Sequence, residues 1–252
     1  MTLRRVAILT LACILPFAAG CKSAARNPAP QPTGSIYGSV TVTTPSPQPG
    51  PAQFTHHPDC ASLKDYGPFR FEDQTLPRTV PPVFLWISAG LPSQPPPRTQ
   101  AVLTQFQCRF QPQILGVLPG QPVDFTNADP FLAYFRVTPA ISGNPSLALT
   151  LPPIKPGKVH TFSHPELLIP VTSPNRPWMK AWINVVPNSH FTLSGPDGRF
   201  TLRHLPPGTY TLSALRPGFP IQTRSISIKP GAATHATFTF PQKSSTPPSA
   251  KK

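Results

Sequence analysis

The sequence predicts an all-β protein built as two β-sandwich modules. Three observations carry this. No segment keeps a helical apolar period. Short stretches alternate apolar and polar residues, as half-buried strands do. Turn signals of Pro-Gly or Asp-Gly type punctuate them at regular intervals, the pattern of a sandwich or barrel.

The chain opens with Arg4 and Arg5, an apolar run from Val6 to Phe17, and the small residues Ala18-Ala19-Gly20 before Cys21. A charged-then-apolar segment of this length reads as an export signal over 1–20, too short for a comfortable bilayer span. Proline and glycine number 40 and 15, just under the roughly 25–30 % of composition that marks disorder. The proline is clustered, in "NPAPQPTG", "PSPQPGP", "PSQPPPR" and "PQKSSTPPSAKK". These stretches read as linkers, loops or tails, including a flexible linker over 21–33 and a disordered tail over 242–252.

The expected strands follow in order: 35–42, 82–88, 101–110, 113–118, 122–127, 132–138, 158–163, 180–186, 199–205, 209–215, 223–229 and 234–240. "THATFTF" alternates strictly, as a strand with one buried face requires. "LPGQP" at 118–122 places Pro and Gly for a type II turn. "GPDGRF" carries Asp-Gly, a strong hairpin signal, and "LPPGTY" and "IKPGAA" repeat the Pro-Gly device.

Of four cysteines, Cys13 falls in the signal. Cys60 and Cys108 form an even pair in an oxidising compartment, which favours a disulfide. Closing a loop of about fifty residues would stabilise the fold by roughly 4 kcal/mol on the chain-entropy account. A metal thiolate or two free thiols are the competing readings, but neither cysteine has a His or Cys at ligand spacing.

Net charge is +14, with the basic residues scattered. A basic surface favours anionic partners. For an exported chain those are acidic glycans, lipid headgroups or an acidic protein rather than nucleic acid. The simpler reading, a generally basic and soluble surface, stands beside it. With only eight acidic residues, paired catalytic carboxylates are scarce, and Asp124 and Asp129 read as strand and turn residues. There is no G-x-S-x-G, Gly-rich phosphate loop or H-E-x-x-H. His56 and His57 are adjacent, and His160 and His164 are separated by four with Pro165 against a helix. Neither arrangement favours chelation.

Three resemblances add to this reading. "AAGC" at 18–21 resembles the bacterial lipoprotein box, although Ala18 stands where Leu is usual. That implies lipid attachment at Cys21, and Lys22 in the next position does not ask for inner-membrane retention. Residues 188–241, with Asp197-Gly198-Arg199-Phe200, Leu205-Pro206-Pro207-Gly208-Thr209-Tyr210 and Lys229-Pro230-Gly231, resemble the carboxypeptidase regulatory-like domain, a prealbumin-like sandwich. Related sandwiches accompany carbohydrate-active enzymes, which implies a glycan as one class of ligand. No His has Glu three residues on, so no peptidase is implied. Residues 34–187 resemble a plastocyanin-like (cupredoxin-like) copper domain of exported bacterial proteins, through "QFQCRFQP", "VLPGQPVDFTNADP" and "PWMKAWINVV".

The last resemblance places Ala133 where a His ligand belongs, Ser173 where the Cys belongs and Arg176 where the second His belongs. Gln113 stands where some relatives carry another His. Cys108 matches the family's non-ligand cysteine. A blue-copper site needs two imidazoles and a thiolate with a weak axial Met, and only Met179 survives. No metal and no other cofactor is therefore expected, and Trp178 and Met179 become packing residues. "GSIYGSVTV" and "VFLWI" also resemble the first strands of the regulatory-like fold. The copper-like part is thus either N-terminal to that sandwich or inserted in it, with a shared sheet in the second case.

The expectation is a lipid-anchored, extracytoplasmic protein of the bacterial envelope, at the outer membrane or facing the periplasm. It is a non-enzymatic binding or scaffold module for a glycan or an envelope protein. The rival is a copper-binding or electron-transfer protein with a rearranged site from Met179 and spare histidines.

Overall fold

The computed structural model describes residues 31–43, 57–62, 82–153 and 156–241. The expected signal, Cys21, most of the linker and the tail lie outside the described residues. The strands in chain order are β1 (Gly34–Val42), β2 (Phe84–Ala89), β3 (Ala101–Phe106), β4 (Arg109–Gln111), β5 (Ile114–Val117), β6 (Pro122–Asn127), β7 (Ala133–Val137) and β8 (Leu147–Leu151). They continue with β9 (Lys158–Thr161), β10 (Glu166–Thr172), β11 (Lys180–Val185), β12 (Phe191–Leu193), β13 (Arg199–Leu205), β14 (Gly208–Leu215), β15 (Gln222–Ile228) and β16 (Ala233–Phe240). Among the described residues one short helix, α1, spans Pro58–Ser62.

Four sheets make two sandwiches. Sheets β13-β1-β16 and β12-β2-β14-β15 enclose one core, and sheets β5-β11-β10-β7-β8 and β4-β3-β6-β9 enclose another. The first core is built from Ile36, Val40, Leu85, Ile87, Leu212, Phe238 and their neighbours. The second gathers Leu103, Phe110, Phe125, Phe135, Phe162, Ile183 and Met179 among others.

The chain enters the first sandwich, leaves it after β2, builds the whole second sandwich, and returns through β12. The second sandwich is therefore an insertion in the first. A linear division at 187/188 does not hold for β1 and β2. β1 pairs antiparallel with β13 and parallel with β16, and β2 pairs with β12 and β14. The two modules do not share a sheet. They share a packed face instead: Phe84, Trp86, Phe191 and Leu215 of one meet Ile114, Trp182 and Leu168 of the other. β2 shows why this works. Alternate residues of a strand point to opposite faces, so Leu85 and Ile87 enter the first core while Phe84 and Trp86 enter the shared layer.

Several turns keep their expected form. Gly120 has φ 78° and Gln121 N–H donates to Leu118 C=O at 3.0 Å, closing the type II turn. Gly231 has φ 67° and Ala232 N–H donates to Lys229 C=O at 3.1 Å. The "GPDGRF" turn is present, with Gly198 at φ 79°. Yet it joins β12 and β13, which lie in different sheets, so it is a corner between layers rather than a two-stranded hairpin. "LPPGTY" departs from the device. Gly208 already belongs to β14, and the corner is held by the Tyr210 hydroxyl, which donates to Pro206 C=O at 2.7 Å.

The strand expected at 101–110 is two strands. Gln107 and Cys108 take positive φ, 59° and 54°, and fold β4 back on β3. Strands β8, β10 and β12 were not anticipated. β10 contains Pro170 and has Leu168 at φ 55°, with a register shift between Glu166 and Ile169. A proline in a run argues against a central strand, yet β10 lies between β11 and β7. Pro170 fits because its carbonyl still accepts from Thr138 N–H at 3.1 Å, and pairing with β7 begins only at Val171.

Candidate functional site

Two places on the molecule concentrate chemistry. The first is the end of the inserted sandwich where the β3–β4, β6–β7 and β10–β11 connections meet. Cys60 of α1 and Cys108 of the β3–β4 turn form a disulfide, buried against Phe131 and Trp178. The pair expected from cysteine counting is thus bonded, and no thiolate is left among the described residues. Trp178 Nε1–H donates to Cys108 C=O at 3.2 Å.

An acid and a base organise the rest. Asp129, 1 % exposed, accepts from Gln105 Nε2 at 2.9 Å, from Cys108 N–H at 3.0 Å and from Gln107 N–H. Those bonds hold the positive-φ turn that carries Cys108. Asn127 ties the same region together, its amide donating to Phe131 C=O at 2.7 Å and Leu151 C=O at 3.1 Å. On the other side, Arg176 is 1 % exposed. Its Nη2 donates to Asp59 Oδ2 at 2.7 Å and its Nη1 to Leu132 C=O at 3.3 Å. The guanidinium carbon lies 4.6 Å from the centre of the Phe131 ring.

The residues that the copper-domain resemblance sets against ligands lie as follows. Ala133 and Met179 are buried in the core of the inserted sandwich. Ser173 is buried and its hydroxyl has no hydrogen-bond partner. Arg176 sits beside Leu132, the neighbour of Ala133. Gln113 is exposed, and its backbone carbonyl receives Trp182 N–H at 2.9 Å. These residues do not fit a type 1 copper ion. Serine and alanine supply no soft donor, and a guanidinium is a permanent cation that cannot coordinate. Among the described residues no three of His, Cys, Asp or Glu gather in a metal-binding group.

The histidines are dispersed. His57 caps the entry to α1, with Nδ1 3.9 Å from Asp59 Oδ2 and its ring edge-on to Trp178 at 5.8 Å. His164 Nδ1 lies 3.1 Å from Gly143 C=O. His160 packs against Phe162, and burial lowers its pKa from 6.5. His56 lies outside the described residues.

The second place is the outward face of sheet β13-β1-β16. Register puts Tyr37 between Thr201 and His235, and Ser39 between Arg199 and Thr237. Tyr37 is 46 % exposed, and its ring centre lies 5.1 Å from that of His235. Arg199 and Arg203 are exposed on the same strand face. None of the three strands contains Asp or Glu. The nearest acid in sequence, Asp197, stands at the turn, with Oδ2 3.5 Å from Arg199 Nε.

Sequence reading found the Cys60–Cys108 pair, and it set Arg176 against a ligand position without placing it in the interior. It missed Asp59 as the partner of Arg176, because 117 residues separate them and α1 has no periodicity to announce it. It also read Asp129 as an ordinary turn residue. The available signal was the "NADP" phrase, but a carboxylate that organises a distant turn looks the same in sequence as one that faces water.

Residues 171–241 match the family model of the carboxypeptidase regulatory-like domain. No curated protein matches the chain. Several solved structures are similar to it. One is the copper-containing nitrite reductase from Thermus scotoductus SA-01, with 20 % identity over 41 % of this chain and 25 % of that one, at TM-score 0.32. The chain spans a quarter of that reductase's length. Another is amicyanin from Paracoccus versutus, 12 % identical over 40 % of this chain and 96 % of that one, at TM-score 0.31. A third is pseudoazurin from Methylobacterium extorquens AM1, 13 % identical over 36 % and 77 %, at TM-score 0.30.

Proposed function

We propose that this protein is a non-catalytic, lipid-anchored binding module of the bacterial cell envelope whose ligand is an acidic glycan. The observation that carries the reading is the outward face of β13-β1-β16, with Tyr37 at its centre, Arg199 and Arg203 beside it, and no acidic residue on the three strands. A tyrosine offers an apolar ring for the C–H face of a sugar and a polar tip for its hydroxyls. Arginines on the same face pair with carboxylates in a forked geometry that lysine cannot match. Ser39, Thr201 and Thr237 add hydroxyls to the face, and His235 packs beside Tyr37.

The copper-like end of the inserted sandwich is, in this reading, a degenerate site. Three of its four ligand positions carry Ala133, Ser173 and Arg176, so the sandwich serves as a scaffold. The anchor at Cys21 belongs to the same proposal.

The test is retention of the purified protein on immobilised uronic-acid polysaccharide, with a neutral glucan as control. A pull-down from envelope extract runs beside it. Binding to the acidic polymer is expected, weakened about tenfold by Tyr37→Ala, the scale of one aromatic contact. A blank on both polymers contradicts the glycan ligand, and specific capture of a protein instead would reassign the ligand class.

A further inference from the structure

The inserted sandwich carries a full positive charge inside its loop end, and the charge has a defined set of partners. Arg176 is 1 % exposed. Its side chain reaches Asp59 on α1 at 2.7 Å, and Leu132 C=O at 3.3 Å and the Phe131 ring at 4.6 Å on the β6–β7 connection. Its backbone carbonyl accepts from Met179 N–H at 2.9 Å, closing the β10–β11 loop. One guanidinium thus joins three stretches far apart in sequence.

A buried cation disfavours folding unless it is paired and hydrogen-bonded. An apolar residue could fill the same space without that penalty. What the cation supplies is direction: planar N–H donors that hold a carboxylate and a carbonyl at fixed angles. A metal ion at the end of a sandwich acts in the same way, drawing ligands from several loops so that binding energy becomes folding energy.

We infer that Arg176 is an internal cation that takes the place of a metal ion as the clamp of this loop end, with Asp59 as its counter-ion. The inference rests on the reading of 133, 173 and 176 as substituted ligand positions. The clamp is part of the chain, so it needs no metal supply. Asp59 lies next to Cys60, so the ion pair and the disulfide fasten α1 side by side.

The two charges are unequally buried, which gives the clamp a signature. The Arg176 side chain is 2 % exposed and that of Asp59 45 %. Removing Asp59 leaves a buried cation without a counter-ion, whereas removing Arg176 leaves a carboxylate that water can reach. Asp59→Asn should therefore lower the unfolding temperature more, by roughly 6 °C, than Arg176→Met, at roughly 3 °C. In the Asp59→Asn background, Arg176→Met should be neutral or stabilising.

The experiment is thermal unfolding of the full chain, its two single variants and the double variant, followed by circular dichroism. A fifth protein carries Ala133→His, Ser173→Cys and Arg176→His and is melted with and without added copper. The inference expects non-additive losses and a copper-dependent rise in the fifth protein. Additive losses, or an Arg176→Met variant as stable as the parent, overturn the clamp. No copper response in the fifth protein overturns the identity of Arg176 with a metal position. Copper held by the unmodified chain is a separate result that contradicts the degenerate site, not the ion pair.

Discussion

Phe191 of β12 lies directly against the backbone of Gly116 in β5: a Cβ on that glycine would sit 2.6 Å from Phe191 Cε2 and 2.7 Å from Phe84 Cε2. The two sandwiches meet at this point, and the contact requires a residue without a side chain. Gly116→Val should wedge the shared aromatic layer apart. Overpacking of this kind costs about 1–3 kcal/mol. Urea unfolding of the variant should show a lowered midpoint. A midpoint equal to the parent's would show that the layer does not hold the modules together.

The insertion was half legible in sequence. The apolar runs of β1 and β2 pointed to the regulatory-like fold, and the turn signals at Gly120 and Gly231 were correctly read. What sequence could not provide was partner choice. β1 pairs with β13 and β16, and nothing local in "GSIYGSVTV" names strands more than 150 residues away.

Asp129 should prove far more important than a turn residue. Its carboxylate accepts one amide and two backbone N–H groups at the β3–β4 turn. Hydrogen bonds to a charged group contribute about 1.5–3 kcal/mol each, and buried donors left unpaired add to the loss. Asp129→Ala should cost about 3 kcal/mol or more in chemical denaturation. A loss under about 1 kcal/mol would mean that the disulfide alone fixes the turn.

His160 supplies a pH dependence of known sign. Burial against Phe162 lowers its pKa from 6.5, and its Nε2 is buried without a hydrogen-bond partner. The unfolded chain therefore binds a proton more readily than the folded one. The stabilisation is fully present above pH of about 6.5 and is lost as pH falls through the lower folded value. His160→Gln should flatten the decline in stability as pH falls below about 6.5. An unchanged slope would assign the acid sensitivity to other groups.

The loop end shows where sequence reasoning succeeds and where it stops. Matching phrases located Ser173, Arg176 and Met179, and the chemistry of those side chains argued against copper. The structure adds why the arginine is tolerated: Asp59 comes to it from α1 at 2.7 Å and Phe131 lies under it. Burial of a cation is invisible in sequence, because it depends on what the other loops bring.

The most direct test of the central claim is metal content by mass spectrometry on the purified protein after loading with copper and desalting. The account predicts no retained copper, since Ala133 and Ser173 supply no soft donor and the buried Arg176 is a cation. One tightly held copper per chain would contradict it, and histidine-to-alanine variants would then locate the ligands.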